Sequence, residues 1–137
     1  MDKALNSLGL ARKAGLAELG EEPVNGVTRA LKAALVIVAA DASDHTWRRA
    51  NSFVAGTDQL CLRVPYTKAE MGFAIGRQEL AIAAITDPAL AVSFVKGLGQ
   101  PEKHRQLLEA LEERVARVRQ RQKEAKAHQR NIRKGKK

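Results

Sequence analysis

The amino-acid sequence predicts an α/β protein: a three-layer α/β/α sandwich with a small mixed sheet, followed by a C-terminal basic helical tail. Three observations carry this prediction. Short apolar runs alternate with segments of helical period over about ninety residues, the pattern of strands layered between helices. The most apolar run, Ala34 to Ala40, is unbroken and β-branched, as in a strand covered on both faces. The positive charge is concentrated late in the chain: residues 1–100 hold 11 Lys and Arg against 10 Asp and Glu, residues 101–137 hold 13 against 5.

Each element has local signals. Asp2 is placed to cap a first helix in which Ala4, Leu5, Leu8 and Ala11 recur at helical spacing, and Gly15 ends it. A short strand, Leu16 to Leu19, follows. Gly20-Glu21-Glu22-Pro23 reads as a helix start, since early carboxylates suit the positive end of the helix dipole and proline tolerates the first turn. This second helix is expected to run to about Lys32, with Gly26 as a weak point. After the central strand, Ser43 caps a third helix carrying Trp47, Ala50, Phe53 and Val54, which Gly56 ends. Leu60 to Val64 is a strand closed by Pro65. Thr67 caps a helix through Ala74, with Met71 and Ile75 inward and Gly72 and Gly76 allowing close packing or a tight exit. Leu80 to Ile85 is the next buried strand, and Asp87-Pro88 starts a helix that ends near Gly97.

Gly97 and Gly99-Gln100-Pro101 mark a boundary, giving an α/β/α domain at residues 1–98 and a tail at 99–137. In the tail Leu107, Leu108, Leu111, Val115 and Val118 form one narrow apolar stripe, so a helix docked on the domain or on a partner is expected. From Arg119 onward too few apolar residues remain to offset ordering entropy, which predicts a frayed helix or a chain disordered when unbound.

At 137 residues and 45% hydrophobic content, the chain can bury one sizeable core. A lone cysteine, Cys61, allows no intrachain disulfide, and three scattered histidines offer no zinc spacing; a reducing cytoplasm is the expected compartment, with no metal and no cofactor. Met1 to Leu19 is broken by charges and does not read as a signal peptide, and no apolar stretch approaches the ~20 residues of a membrane span. A net charge of +9 points to a polyanionic partner, and from Arg114 onward 11 basic residues face the single Glu124.

Catalytic candidates are thin. Glu21 and Glu22 point in different directions on a helix and form no carboxylate pair. Asp41, Asp44 and His45 follow the central strand, where sheet sites often lie, but Asp and Ser are also favoured there as caps and turn residues. Cys61 sits in an apolar strand and reads as a small buried hydrophobe. Gly72 to Arg77 fits neither the dinucleotide fingerprint nor the P-loop. What remains there is an exit loop whose glycine and Arg77 suit phosphate or base contact, or an ordinary solvent turn. In the tail, Arg119, Arg121, Lys123, Arg130, Arg133 and Lys134 gain RNA affinity by releasing counterions, irrespective of base sequence.

Taken in order, Leu8-Gly9-Leu10-Ala11-Arg12-Lys13-Ala14-Gly15, Gly20-Glu21-Glu22, Leu35 to Ser43, Met71 to Arg77 and Ala81 to Asp87 resemble the bacterial YlxQ-like branch of the L-seven-Ae and L-thirty-e ribosomal-protein superfamily. The resemblance covers roughly residues 3 to 97. It implies an α/β/α sandwich that binds kink-turns, sharply bent RNA duplexes with tandem sheared G·A pairs, in ribosomal RNA. It also implies an RNA site at the amino end of the second helix, here Gly20, Glu21, Glu22, Pro23 and Gly26 with Arg29 and Lys32 further along. The exit loop of Ile75, Gly76, Arg77 and Gln78 would join it. Two positions depart from the family pattern: its Asn-Glu pair stands here as Glu22-Pro23, and its next basic residue as Gly26. Glutamate can accept hydrogen bonds from guanine but repels phosphate, so the basic tail is the expected compensating source of affinity. The expectation is a non-catalytic RNA-binding protein, a monomer when free; the alternative is a module docking on ribosomal or assembly proteins through the Leu107 to Val118 stripe.

Overall fold

In the computed structural model of the chain, residues 2–135 are described, with side chains as far as Arg130. The elements in order are α1 (Lys3–Lys13), β1 (Ala17–Leu19), α2 (Glu21–Arg29), β2 (Leu35–Val38), α3 (Asp44–Val54), β3 (Leu60–Arg63), α4 (Lys68–Ala74), β4 (Ile82–Ile85), α5 (Pro88–Gly97) and α6 (Arg105–Gly135). The capping residues explain where the helices begin. Asp2 Oδ1 accepts the Ala4 N–H at 2.8 Å, and Ser43, Thr67 and Asp87 cap α3, α4 and α5 in the same manner. At α4 the Glu70 carboxylate also accepts the Thr67 N–H at 3.0 Å, so two orphan donors are satisfied reciprocally.

The strands form one mixed sheet in the order β1-β4-β2-β3. β2 runs parallel to β3 and antiparallel to β4, and β1 pairs antiparallel with β4. Every residue of β2 and β4 is buried, which is why their sequences are continuous apolar runs; edge strand β3 is only partly covered. Helices α2 and α3 pack together over one face, and α1, α5 and α6 form a row over the other, with α4 against α1. Paired residues define the two ends of the sheet: Leu19, Val38, Arg63 and Ile82 lie at one, which we call the Val38 end, and Ala17, Leu35, Leu60 and Ile85 at the other, the Leu35 end.

The second helix is shorter than its sequence predicts, and Lys32 lies beyond it. It stops at Arg29, and Leu31 takes a left-handed φ of 59°, the only non-glycine to do so among the described residues. The Lys32 N–H bonds the Val27 carbonyl and the Leu31 N–H the Thr28 carbonyl, both at 3.0 Å, a closure usually made with glycine where leucine stands. Buried Gln59, brought from β3's approach, holds this turn: its Nε2 donates to the Thr28 carbonyl and its Oε1 accepts the Ala33 N–H, each at 3.0 Å. Tertiary hydrogen bonds thus over-determine a conformation that local sequence does not advertise.

The stripe on α6 docks on the domain itself: Leu108 and Leu111 join the common core, and Arg114 Nη1 donates to the Ala33 carbonyl at 2.9 Å. Those leucines are therefore not free to serve a partner, the role the docking-module alternative gave them. Beyond Val118 every described residue is exposed, yet the helix continues to Gly135. Low apolar content alone predicts a frayed or disordered segment there. The docked half supplies the costly nucleus, and Arg, Gln, Lys, Glu and Ala propagate a helix at little cost per residue. At 1.5 Å per residue its 31 residues extend about 46 Å.

Candidate nucleic-acid interface

Two of the sequence-predicted groups share the Val38 end of the sheet. Gly20, with φ 99°, a value that disfavours any side chain, donates its N–H to the Ile82 carbonyl at 2.9 Å. The start of α2 is thereby tied to the residue that opens β4. The loop from Gly76 to Ala81 enters β4 at that point, so the α2 amino end and the α4–β4 loop border the same edge. No side chain caps α2, leaving its first turn open to an external acceptor.

The two arms differ in character. Glu21 is ion-paired with Arg49 of α3, whose guanidinium also lies 5.5 Å from the Phe53 ring centroid, so this carboxylate is neutralised within the protein. Glu22, Pro23 and Gly26 are exposed on the outer side of α2. In the loop arm, Gly76 takes φ 73°, and Arg77 and Gln78 are exposed. The loop is folded back on its helix. Arg77 N–H bonds the Gly72 carbonyl at 2.9 Å, Leu80 N–H bonds the Lys68 carbonyl at 2.9 Å, and a Cβ on Gly72 would fall 2.5 Å from Glu79 Cα. Ile75 is buried at 2% exposure and supports the loop from beneath.

Sequence reasoning passed over Phe73, which is 76% exposed on α4 four residues before Arg77. It also passed over Arg48, which with His45 is exposed on the first turns of α3 at this end. Asp41 is engaged in the fold, accepting the Lys68 N–H at 2.8 Å. Acids and bases are mixed here: Glu22, Asp44 and Glu79 offset Arg48 and Arg77, so the edge is not cationic.

The remaining predicted residues lie elsewhere. Arg29 and Lys32 sit at the Leu35 end, separated from Gly20 by the length of α2. In the tail the helical period sorts the cations: Arg119, Lys123, Lys126 and Arg130 follow steps of four, three and four along one face. Arg121 belongs instead with Arg114 and Arg117 on another side, where Arg117 approaches Asp58 at 3.9 Å. Arg133 and Lys134 have side chains outside the described residues.

Other polar groups are satisfied inside the fold. Tyr66 donates its hydroxyl to Asp2 Oδ1 at 2.6 Å, which holds the Asp2 carboxyl below its ordinary range; burial, and then that carboxylate, push the Tyr66 hydroxyl up. Burial also pushes the Cys61 thiol up to about 11, so it carries little thiolate at neutral pH. Among the described residues no group of three His, Cys, Asp or Glu could hold a metal, and no helix is long and apolar enough to cross a membrane.

No protein-family model matches the chain, and no curated protein matches it by sequence. Solved structures do. One is a protein with unknown function from Bacillus halodurans, 25% identical, with a TM-score of 0.66 over 72% of this chain and 99% of that one. Another is the Giardia lamblia 15.5kD RNA binding protein, 20% identical, with a TM-score of 0.59 over 80% of this chain and 87% of that one. What the chain has in common with both is the α/β fold.

Proposed function

We propose that the protein is a non-catalytic structured-RNA-binding protein acting on ribosomal RNA, with a bent duplex of the kink-turn class as its target. The observation that carries this reading is the shared edge of the α2 amino end and the Gly76–Ala81 loop: an uncapped helix start bordering the loop that carries exposed Arg77, with exposed Phe73 on the helix before that loop. Open backbone N–H groups suit phosphate, Glu22 suits the N1 and N2 donors of guanine, and Phe73 offers a stacking face. The fold likeness to a Giardia RNA binding protein supports the same class of partner. In this reading residues 1–98 choose the RNA and residues 99–137 add electrostatic grip.

The test is a titration of the intact protein against a kink-turn RNA and a matched duplex lacking the G·A pairs. Tighter binding to the bent RNA is expected, with the preference reduced several-fold by Arg77→Ala. Equal affinity for the two RNAs would refute kink-turn recognition. Because Leu108 and Leu111 complete the core, the tail's share is best measured by charge substitution in the full chain.

A further inference from the structure

Four of the eleven Lys and Arg of residues 1–100 stand at the Leu35 end of the sheet, opposite the proposed recognition edge. α1 starts at the Val38 end, where Asp2 meets Tyr66, and delivers Arg12 and Lys13 to the Leu35 end, where Thr86 N–H bonds the Leu16 carbonyl at 2.9 Å. α2 delivers Arg29 and Lys32 to the same end. All four side chains are exposed. α6 crosses this end as it leaves the domain, with Arg114 bonded to Ala33 and Arg117 beside Asp58. Of the acids near this end, Asp58 faces Arg117 and Asp87 caps Leu90 N–H at 2.9 Å, while Glu18 and Glu113 are exposed. Arg12, Lys13 and Arg29 complement the negative ends of their helices, but this does not account for Lys32, which lies past α2, or for Leu31. Leu31 stands 61% exposed in a left-handed conformation between two cations, an apolar knob where folding alone would favour glycine.

We propose that this pole is a second RNA-binding surface, which grips the phosphate backbone of a duplex segment through Arg12, Lys13, Arg29 and Lys32, with Leu31 against the sugars. The Arg114, Arg117 and Arg121 side of α6 adjoins this pole, so the duplex is held along the pole and the projecting helix together. With the recognition edge at the opposite end, one molecule bridges two RNA segments. The bridging part rests on the proposed RNA function; the pole's own duplex binding does not. An anionic membrane is the less suited occupant, since exposed Leu31 has no broad apolar face around it to bury.

The experiment immobilises a kink-turn RNA and measures how much labelled plain duplex the full-length protein retains on it. The variant Arg12→Gln/Lys13→Gln/Arg29→Gln/Lys32→Gln is expected to lose about tenfold or more of that capture, while binding the bent RNA through its recognition edge. In a direct titration on plain duplex, its log–log salt dependence is expected to flatten by up to about 3 to 4 units, roughly 0.9 for each phosphate no longer neutralised. The charge-preserving variant Arg12→Lys/Arg29→Lys should retain capture, which separates charge from any effect on folding. Capture and salt slope unchanged by the quadruple substitution would overturn the proposal, as would a pole that binds anionic phospholipid vesicles while duplex binding is untouched. Loss of bent-RNA preference in the intact protein would instead overturn the recognition reading, leaving the plain-duplex titration to judge the pole.

Discussion

The exposed face of α6 offers the most quantitative test of the tail. Arg119, Lys123, Lys126 and Arg130 occupy one face over twelve residues, about 16 Å of helix, so four cations stand roughly 5.5 Å apart. None has a partner fixing it in the fold among the described ion pairs. Replacing all four with glutamine removes at most four phosphate contacts, which flattens the log–log salt dependence of RNA binding by up to about 3.6 units. Between 50 mM and 200 mM salt that amounts to roughly a hundredfold in affinity, seen as a tail contribution that is large at low salt and fades as salt rises. Filter binding or fluorescence anisotropy on a plain duplex across this range reads the slope directly. The substitutions should not unfold the helix, because like-charged neighbours at these spacings are mildly destabilising and glutamine is a good helix former; circular dichroism checks that. Parallel salt plots for the two proteins would refute the assignment of electrostatic grip to this face.

Other outcomes follow from particular contacts. Gly72→Ala forces a Cβ against the Glu79 backbone and should cost about 1–3 kcal/mol in denaturant unfolding while loosening the Arg77 loop. Leu31→Gly should leave stability unchanged or raise it by up to about 1 kcal/mol, relieving a left-handed leucine, yet weaken plain-duplex binding. Tyr66→Phe should cost about 1 kcal/mol near neutral pH, discounted for the exposure of Asp2. The lowered Asp2 value makes its contribution present above pH 3.8 and lost as pH falls through the folded value, whereas the raised Tyr66 value makes its contribution present below pH 10 and lost as pH rises. The stability difference between wild type and variant should therefore shrink in acid, which thermal melts at pH 7 and pH 3 would show. Cys61, with its thiol raised to about 11, should resist iodoacetamide at pH 8 in the folded protein and react in denaturant.

Much of the fold was legible because its signals are local. Asp2, Ser43, Thr67 and Asp87 cap their helices with side-chain oxygens that need only the next turn as partner. Continuous apolar runs marked β2 and β4, and the stripe through Leu108 and Leu111 marked the docking face of α6. The proposed recognition edge was legible only in part. Gly20 and Arg77 could be named, but Phe73 could not be told from a core aromatic, and Glu21 could not be assigned to Arg49 without knowing that α2 and α3 lie side by side.

What the sequence by itself determined was the set of elements and the basic character of the tail, since each depends on spacing and side-chain chemistry within a turn or two. Tertiary structure alone decided where α2 stops, because Gln59, thirty-one residues after Thr28, clamps a turn that leucine would otherwise avoid. It alone decided that Arg29 and Lys32 stand at the opposite pole from Gly20. That separation follows from the run of α2 along the sheet and from strand order, which hydrogen-bond registers between distant segments set and no local pattern encodes.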